Sequence, residues 1–392
     1  MVCYHSANNV AEISNITYIQ CVIILNLYQA ISPSLKALIF LSFFFLGFCN
    51  SLYANDAITH NSPSQKDIKI EKINQAIQNK LDYYNQTFPY IQFVHLKNGE
   101  WEKSLQALEL FIGYQATSLD YEHPKELRED LLYVTVAKIQ MMLVKKITSS
   151  YLFKVGEMPV ASKKHTCVIT LDAATNVLTN QIATQYFIDL PLETLNTLPE
   201  KSYLNKEQQL DFIIDHEAFH CLDSFHYGGI PMSMKEYSTR YDCFKREIQA
   251  DMFAIAMHMR RNKKLTHFAN NIMTLRAMTL LNGELQHDSS SAMQLMINTD
   301  KENFIHAQPM ELVKKVKQLY KTIAPNYEEY IDFRVAAIEV ISLLGKQVNE
   351  YEKPFSPTGR QPDKEIMQRL MKQSLDNFQK FTGKVYTLPS RK

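Results

Sequence analysis

Apolar positions along this chain recur mostly at helical spacing. From Asp67 to about Phe153 they do so in three stretches: Ile68, Ile70, Ile73 and Ile77; then Leu105, Leu108, Leu110 and Phe111; then an amphipathic run over residues 131–147. Residues 156–164 have turn chemistry. The texture then changes. Residues 166–171 are rich in β-branched side chains and residues 185–190 in aromatic and aliphatic ones, so both are expected as strands, the second ending at Pro191. Helical spacing returns over residues 206–225, 244–262 and 265–281. A polar loop follows over residues 282–291, then helices over 310–323, 327–344 and 364–381. No internal repeat of fixed period is present. The pattern predicts an α+β protein, predominantly α, with a small sheet just before the central helix.

The N-terminus differs from this globular texture. Lys36 precedes an apolar run, residues 37–48, and short or polar residues lead on to Ala54. A positive residue, an apolar stretch and a small residue at the cut describe a secretory signal. Cleavage is expected after Ala54, giving an exported protein, periplasmic or extracellular. A second apolar run, residues 18–28, is separated from the first by residues 32–36, and neither reaches the roughly 20 apolar residues of a helical span. Anchoring through residues 18–48 is the alternative, and no stable membrane span is expected in the mature form. The organisation read from the chain is therefore an export segment (1–54), a polar linker (55–66), an N-terminal helical region (67–153), a core (154–300) and a C-terminal helical region (301–392).

Composition narrows the function classes. The chain is 46% hydrophobic and 21% charged, as in ordinary globular proteins. Its 42 basic residues against 41 acidic ones leave a net charge of +1, with no basic stripe to suit nucleic acid. With 10 glycines and neither a dinucleotide fingerprint nor a Walker loop, nucleotide chemistry is not indicated.

Metal chemistry is indicated. In His216-Glu217-Ala218-Phe219-His220 two histidines lie one helical turn apart on one face, so both imidazoles can reach one zinc ion. Glu217, beside the first histidine, is placed to accept a proton from a metal-activated water. A catalytic zinc needs a third protein ligand. Glu247 is the first candidate, with 26 residues between it and His220. Asp251, one turn further along the same helix, is placed to hydrogen-bond the outer nitrogen of a ligand histidine. The alternative ligand is His226, in the metzincin-like spacing His216…His220…His226. There Asp223 stands where a glycine would let the chain fold back, a conformation that costs a non-glycine residue free energy.

His216-Glu217-Ala218-Phe219-His220 followed by Glu247-Ile248-Gln249-Ala250-Asp251 resembles the gluzincin group of metallopeptidases. The resemblance covers residues 166–262, about a quarter of the chain. It implies a zincin-like catalytic core with helical extensions on both sides, one zinc ion per chain, a cleft beside a short sheet, and hydrolysis of peptide or protein substrates. Two other readings stay open. One is a metzincin-like peptidase using His226; the other is a non-enzymatic helical binding protein with a structural zinc site.

Among the remaining residues, His287 is the expected oxyanion donor, with Tyr237, Arg240 and Tyr241 as alternatives. His258 is expected as a core or surface histidine. The acids and bases of residues 126–130 read as a solvated face, and Tyr327, Tyr330 and Tyr351 as packing. Beyond the export segment three cysteines remain, Cys167, Cys221 and Cys243. An oxidising compartment permits one bridge among them. Which pair forms stays open; Cys221 and Cys243, both beside expected zinc ligands, are one candidate pair, with Cys243 as a metal ligand the alternative.

Overall fold

The computed structural model describes residues 65–96, 149–153, 165–171, 205–227, 236–285, 287–348 and 359–389. The two apolar N-terminal runs, the expected cleavage site and the expected features at 105–111, 126–147, 156–164 and 185–190 lie outside these residues, as does Tyr351. The described residues from Ile70 onward belong to one compact unit.

Helix α1 (Gln65–Thr87) leads into strand β1 (Ile91–Leu96). Strand β2 (Ser149–Phe153) and strand β3 (His165–Thr170) complete a sheet of order β1-β3-β2. β3 is central. It pairs in parallel with β1, from Ile91 opposite His165 to Leu96 opposite Thr170. It pairs antiparallel with β2, from Ser149 opposite Thr170 to Phe153 opposite Thr166. Residues 166–170 are buried throughout, as a strand covered on both faces requires.

The two strands β1 and β2 correct the expectation of a helical region over 67–153. Pro89 disfavours helical geometry at the residue before it. Ile91, Phe93 and Val94 supply the β-branched and aromatic content of a strand, with Ile91 and Phe93 buried and Gln92 exposed between them. The segment is part of the main core. Ile77, Leu81, Tyr84 and Phe88 of the α1 region pack with Ile91 and Phe93 in one apolar cluster that also holds the helices described next.

Helices α2 (Lys206–Tyr227) and α3 (Glu236–Asn262) form the centre. Asn205 caps α2, its side-chain oxygen accepting the backbone N–H groups of Glu207 (2.9 Å) and Gln208 (3.1 Å). α2 packs on α3 and on β2 and β3. α3 is buried on every side along its middle: each residue from Ala250 to Met257 is inaccessible. A helix apolar all round belongs in the interior, so the carboxylate of Asp251 within it needs partners. Phe219 of α2 and Phe253 of α3 meet with ring centroids 5.4 Å apart.

The remaining elements are α4 (His267–Arg276), a 3₁₀ turn (Thr279–Asn282), α5 (Ser290–His306), α6 (Pro309–Lys321), α7 (Tyr327–Leu343) and α8 (Lys364–Thr382). α5 and α6 pack on α3, and α8 packs on α4 and α7. Helix α5 was not anticipated by periodicity. Its sequence begins Ser-Ser and carries Asn298-Thr299-Asp300 midway, which obscures the apolar stripe of Met293, Met296 and Ile297. The fold is thus α+β and mainly α. Among the described residues no helix is long and apolar enough to cross a membrane.

Candidate metal centre

α2 and α3 bring four of the expected residues together. His216 and His220 project from one face of α2, with their Nε2 atoms 3.2 Å apart and ring centroids 4.9 Å apart. From α3, Glu247 Oε2 lies 3.0 Å from His216 Nε2 and 3.5 Å from His220 Nε2. One turn on, Asp251 Oδ1 accepts the Nδ1–H of His216 at 2.9 Å. An acceptor on Nδ1 turns the Nε2 of that ring toward Glu247 and His220.

Asp251 is itself anchored by groups that periodicity did not single out. Arg276, at the end of α4, brings Nε to 2.8 Å from Asp251 Oδ2, and its Nη2 donates to Oδ1 at 2.9 Å. Ser289 Oγ donates to Oδ2 at 2.5 Å. Burial by itself would raise the pKa of Asp251, but the Arg276 charge and then His216 outweigh it and hold the carboxylate below its ordinary range. Arg276 is 2% exposed.

His287 also enters the cluster. It is 1% exposed, with Nε2 3.0 Å from Glu247 Oε2 and Nδ1 2.9 Å from Glu284 Oε1. Burial opposes the charged form of His287, but Glu284 and Glu247 raise its pKa to about 10, against the opposing charge of Arg276. His216 is raised to about 9, burial being overcome by Asp251 and Glu247. Glu247 is held well below the carboxylate range, because His220 and His287 outweigh its burial. Glu284, three residues before His287, was not singled out by sequence reasoning. Glu217 is buried on α2 beside His216, at 4% exposure.

Two expectations are corrected here. The first concerns His226. α2 runs as continuous helix through Tyr227, so the chain does not bend at Asp223 and the fold-back that brings His226 to the metal is not made. Six further residues carry the backbone about 9 Å along the axis beyond His220. Asp223 is buried and bound instead by Arg246 Nε at 3.1 Å and by Lys317 Nζ, while Arg246 Nη2 donates to the His220 carbonyl at 3.2 Å. The second concerns the disulfide. Cys221 is bridged to Cys167 of β3, with Cα atoms 5.9 Å apart, and Cys243 stays outside the bridge, buried on α3. One residue past His220, Cys221 is rotated about 100° around the helix, off the face that carries His216 and His220 and toward the sheet.

The other oxyanion candidates stand elsewhere or are not described. Tyr241 donates its hydroxyl to the Pro325 carbonyl and packs against Tyr327 and Tyr330, with ring centroids 5.6 and 5.2 Å away. The Arg240 backbone lies on the same turn of α3, and the side chain of Tyr237 is outside the described residues. His258 is a core residue, its Nε2 2.7 Å from Thr266 Oγ1.

The donor set fits a divalent metal ion with nitrogen and oxygen preference. Bonds of 2.0–2.1 Å in a tetrahedral shell put ligand atoms roughly 3.3–3.4 Å apart, and the separations among His216, His220 and Glu247 run from 3.0 to 3.5 Å. The ligand atoms of His216, Glu247 and His287 likewise lie within 4.8 Å of one another. Comparison with protein families, with curated proteins and with solved structures finds no match to this chain.

Proposed function

We propose that this chain is a zinc-dependent peptidase of gluzincin type, exported to the periplasm or the outside. The observation that carries the reading is the convergence of His216, His220 and Glu247, with Asp251 on the outer nitrogen of His216. These three ligands would hold one zinc ion, which when bound supplies an activated water and polarises the peptide carbonyl. Asp251, fixed by Arg276 and Ser289, keeps His216 in the tautomer that presents Nε2. Glu217 takes the proton of the attacking water and delivers it to the departing amine, so that peptide and water become a carboxylate and an amine. Burial of these groups raises the strength of every charge interaction among them. Export rests on the apolar run behind Lys36, and the Cys167–Cys221 bridge suits an oxidising compartment.

The zinc content of the purified protein tests the reading, measured beside Glu247→Ala and His226→Ala. About one zinc per chain in the wild type, lost in Glu247→Ala and kept in His226→Ala, is the expected result. A wild type that holds no zinc under metal-replete conditions removes the reading. The second reading, a binding protein with structural zinc, draws on the approach of His287, because structural sites are closed by four protein ligands. Chelation that unfolds the protein, with no cleavage of casein under any condition, favours it.

A further inference from the structure

We propose that His287 is a fourth protein ligand of the metal, so that the resting site is closed and opens when His287 withdraws. The inference rests on the metal centre proposed above and concerns how that centre is regulated.

An imidazole that stabilises an oxyanion keeps its N–H outside the ligand shell, aimed at substrate. His287 does otherwise. Its Nε2 lies 3.0 Å from Glu247 Oε2, the same separation as His216 Nε2 from that oxygen. With His220 Nε2 at 3.5 Å, three imidazole nitrogens surround one carboxylate oxygen. The second nitrogen points the same way. Nδ1 of His287 faces Glu284 Oε1 at 2.9 Å, as Nδ1 of His216 faces Asp251 Oδ1 at 2.9 Å. A carboxylate there accepts, so Nδ1 carries a hydrogen, and the ring presents the Nε2 lone pair once Nε2 gives up its proton to an incoming cation. This is the carboxylate–histidine pairing of a metal ligand.

The four donors differ in what holds them. His216, His220 and Glu247 stand on the two helices packed in the core. His287 stands on the connector between the 3₁₀ turn and α5. That connector begins at Gly283, whose left-handed φ of 72° suits glycine, and Ser289 N–H closes a turn on the His287 carbonyl at 2.8 Å. Asp288 Oδ1 accepts from Gln373 Nε2 of α8 at 3.1 Å, which ties the connector to the neighbouring helix. Of the four donors, His287 is the one that stands outside the two packed helices. With it bound, the shell has no position for a water or a peptide carbonyl, so substrate must displace it.

Cobalt(II) loaded into the full chain tests this, because its visible absorption reports coordination number. Acetohydroxamate serves as the incoming group. The wild type should show the strong absorption of a four-coordinate site and need on the order of 10–100-fold more hydroxamate to perturb it than His287→Ala, which still binds one cobalt. Glu284→Gln keeps the ring but loosens its hold, and its midpoint should fall between the two. If His287→Ala does not fold, Glu284→Gln against wild type decides. Equal hydroxamate titrations in the wild type and the folded variants place His287 outside the shell and overturn the proposal. A wild type that takes up no cobalt overturns the metal centre itself, and this inference with it.

Discussion

Cys221 is bonded to Cys167, and the residue before Cys221 is His220. The helix that carries two of the proposed ligands is thereby tied covalently to the central strand of the sheet. Closing a loop over a sequence separation of 54 removes conformational freedom from the unfolded chain worth about 4 kcal/mol. Cys167→Ser should therefore lower the stability of unfolding in urea by up to about that amount. Peptide mapping after alkylation of the denatured, unreduced protein should find Cys243 modified and Cys167 and Cys221 joined. Alkylation of Cys167 in that experiment would remove the bridge and the stability argument together.

Asp251 → Asn keeps the shape of the side chain and removes its charge. The variant should bind zinc about 10–100-fold more weakly, read by competition with a chromogenic chelator. It should also unfold more easily, because Arg276 is 2% exposed and loses its anionic partner. Unchanged zinc affinity would show that the Asp251–His216 contact does not set the ligand's basicity.

His258 predicts how stability responds to acid. Burial, and then the Arg261 charge, lower its pKa from 6.5 to about 4. The unfolded chain therefore takes up a proton near pH 6.5 that the folded protein refuses until about pH 4. The contribution is fully present above pH 6.5 and is lost as pH falls toward 4. The loss between pH 7 and pH 4.5 is about 2–3 kcal/mol. His258→Gln should be less stable at pH 7, since the contact with Thr266 and the packing on Phe268 change, but should lose less on acidification. Parallel acid dependence of wild type and variant would assign the loss to other groups.

Apart from His287, which was singled out from its loop as an oxyanion donor, the parts of this site that were legible in the sequence are those within single helices. His216 with His220, and Glu247 with Asp251, are each one turn apart, and helical geometry alone puts each pair on one face. Arg276, Glu284 and Ser289 were not legible, because each reaches the site from outside those two helices. Only the tertiary packing of α4 and the connector before α5 aims them at Asp251 and His287. The bridge was misread for a related reason. Proximity in sequence to a ligand says nothing about angle around the helix, and Cys221 faces the sheet. β1 was misread because Ile91–Leu96 was taken with the helical run that precedes it, although Pro89 separates the two. The strand expected from residues 166–171 appears as β3, because a central strand covered on both faces needs a continuous β-branched and apolar run.

Glu217 separates chemistry from architecture. It is buried at 4% exposure on α2, about 100° around the helix from His216 and about 60° from His220. If it is the general base, Glu217→Gln preserves volume and hydrogen bonding but cannot take a proton. The rate of peptide cleavage should then fall about 10²–10⁴-fold. The variant's zinc content should remain at the wild-type level, because His216, His220 and Glu247 are untouched. KM should change little if Glu217 acts on the water and not on substrate binding. The two readouts must move apart. A variant that loses activity and zinc together marks Glu217 as a support of the fold, and a variant that keeps both removes it from the chemistry.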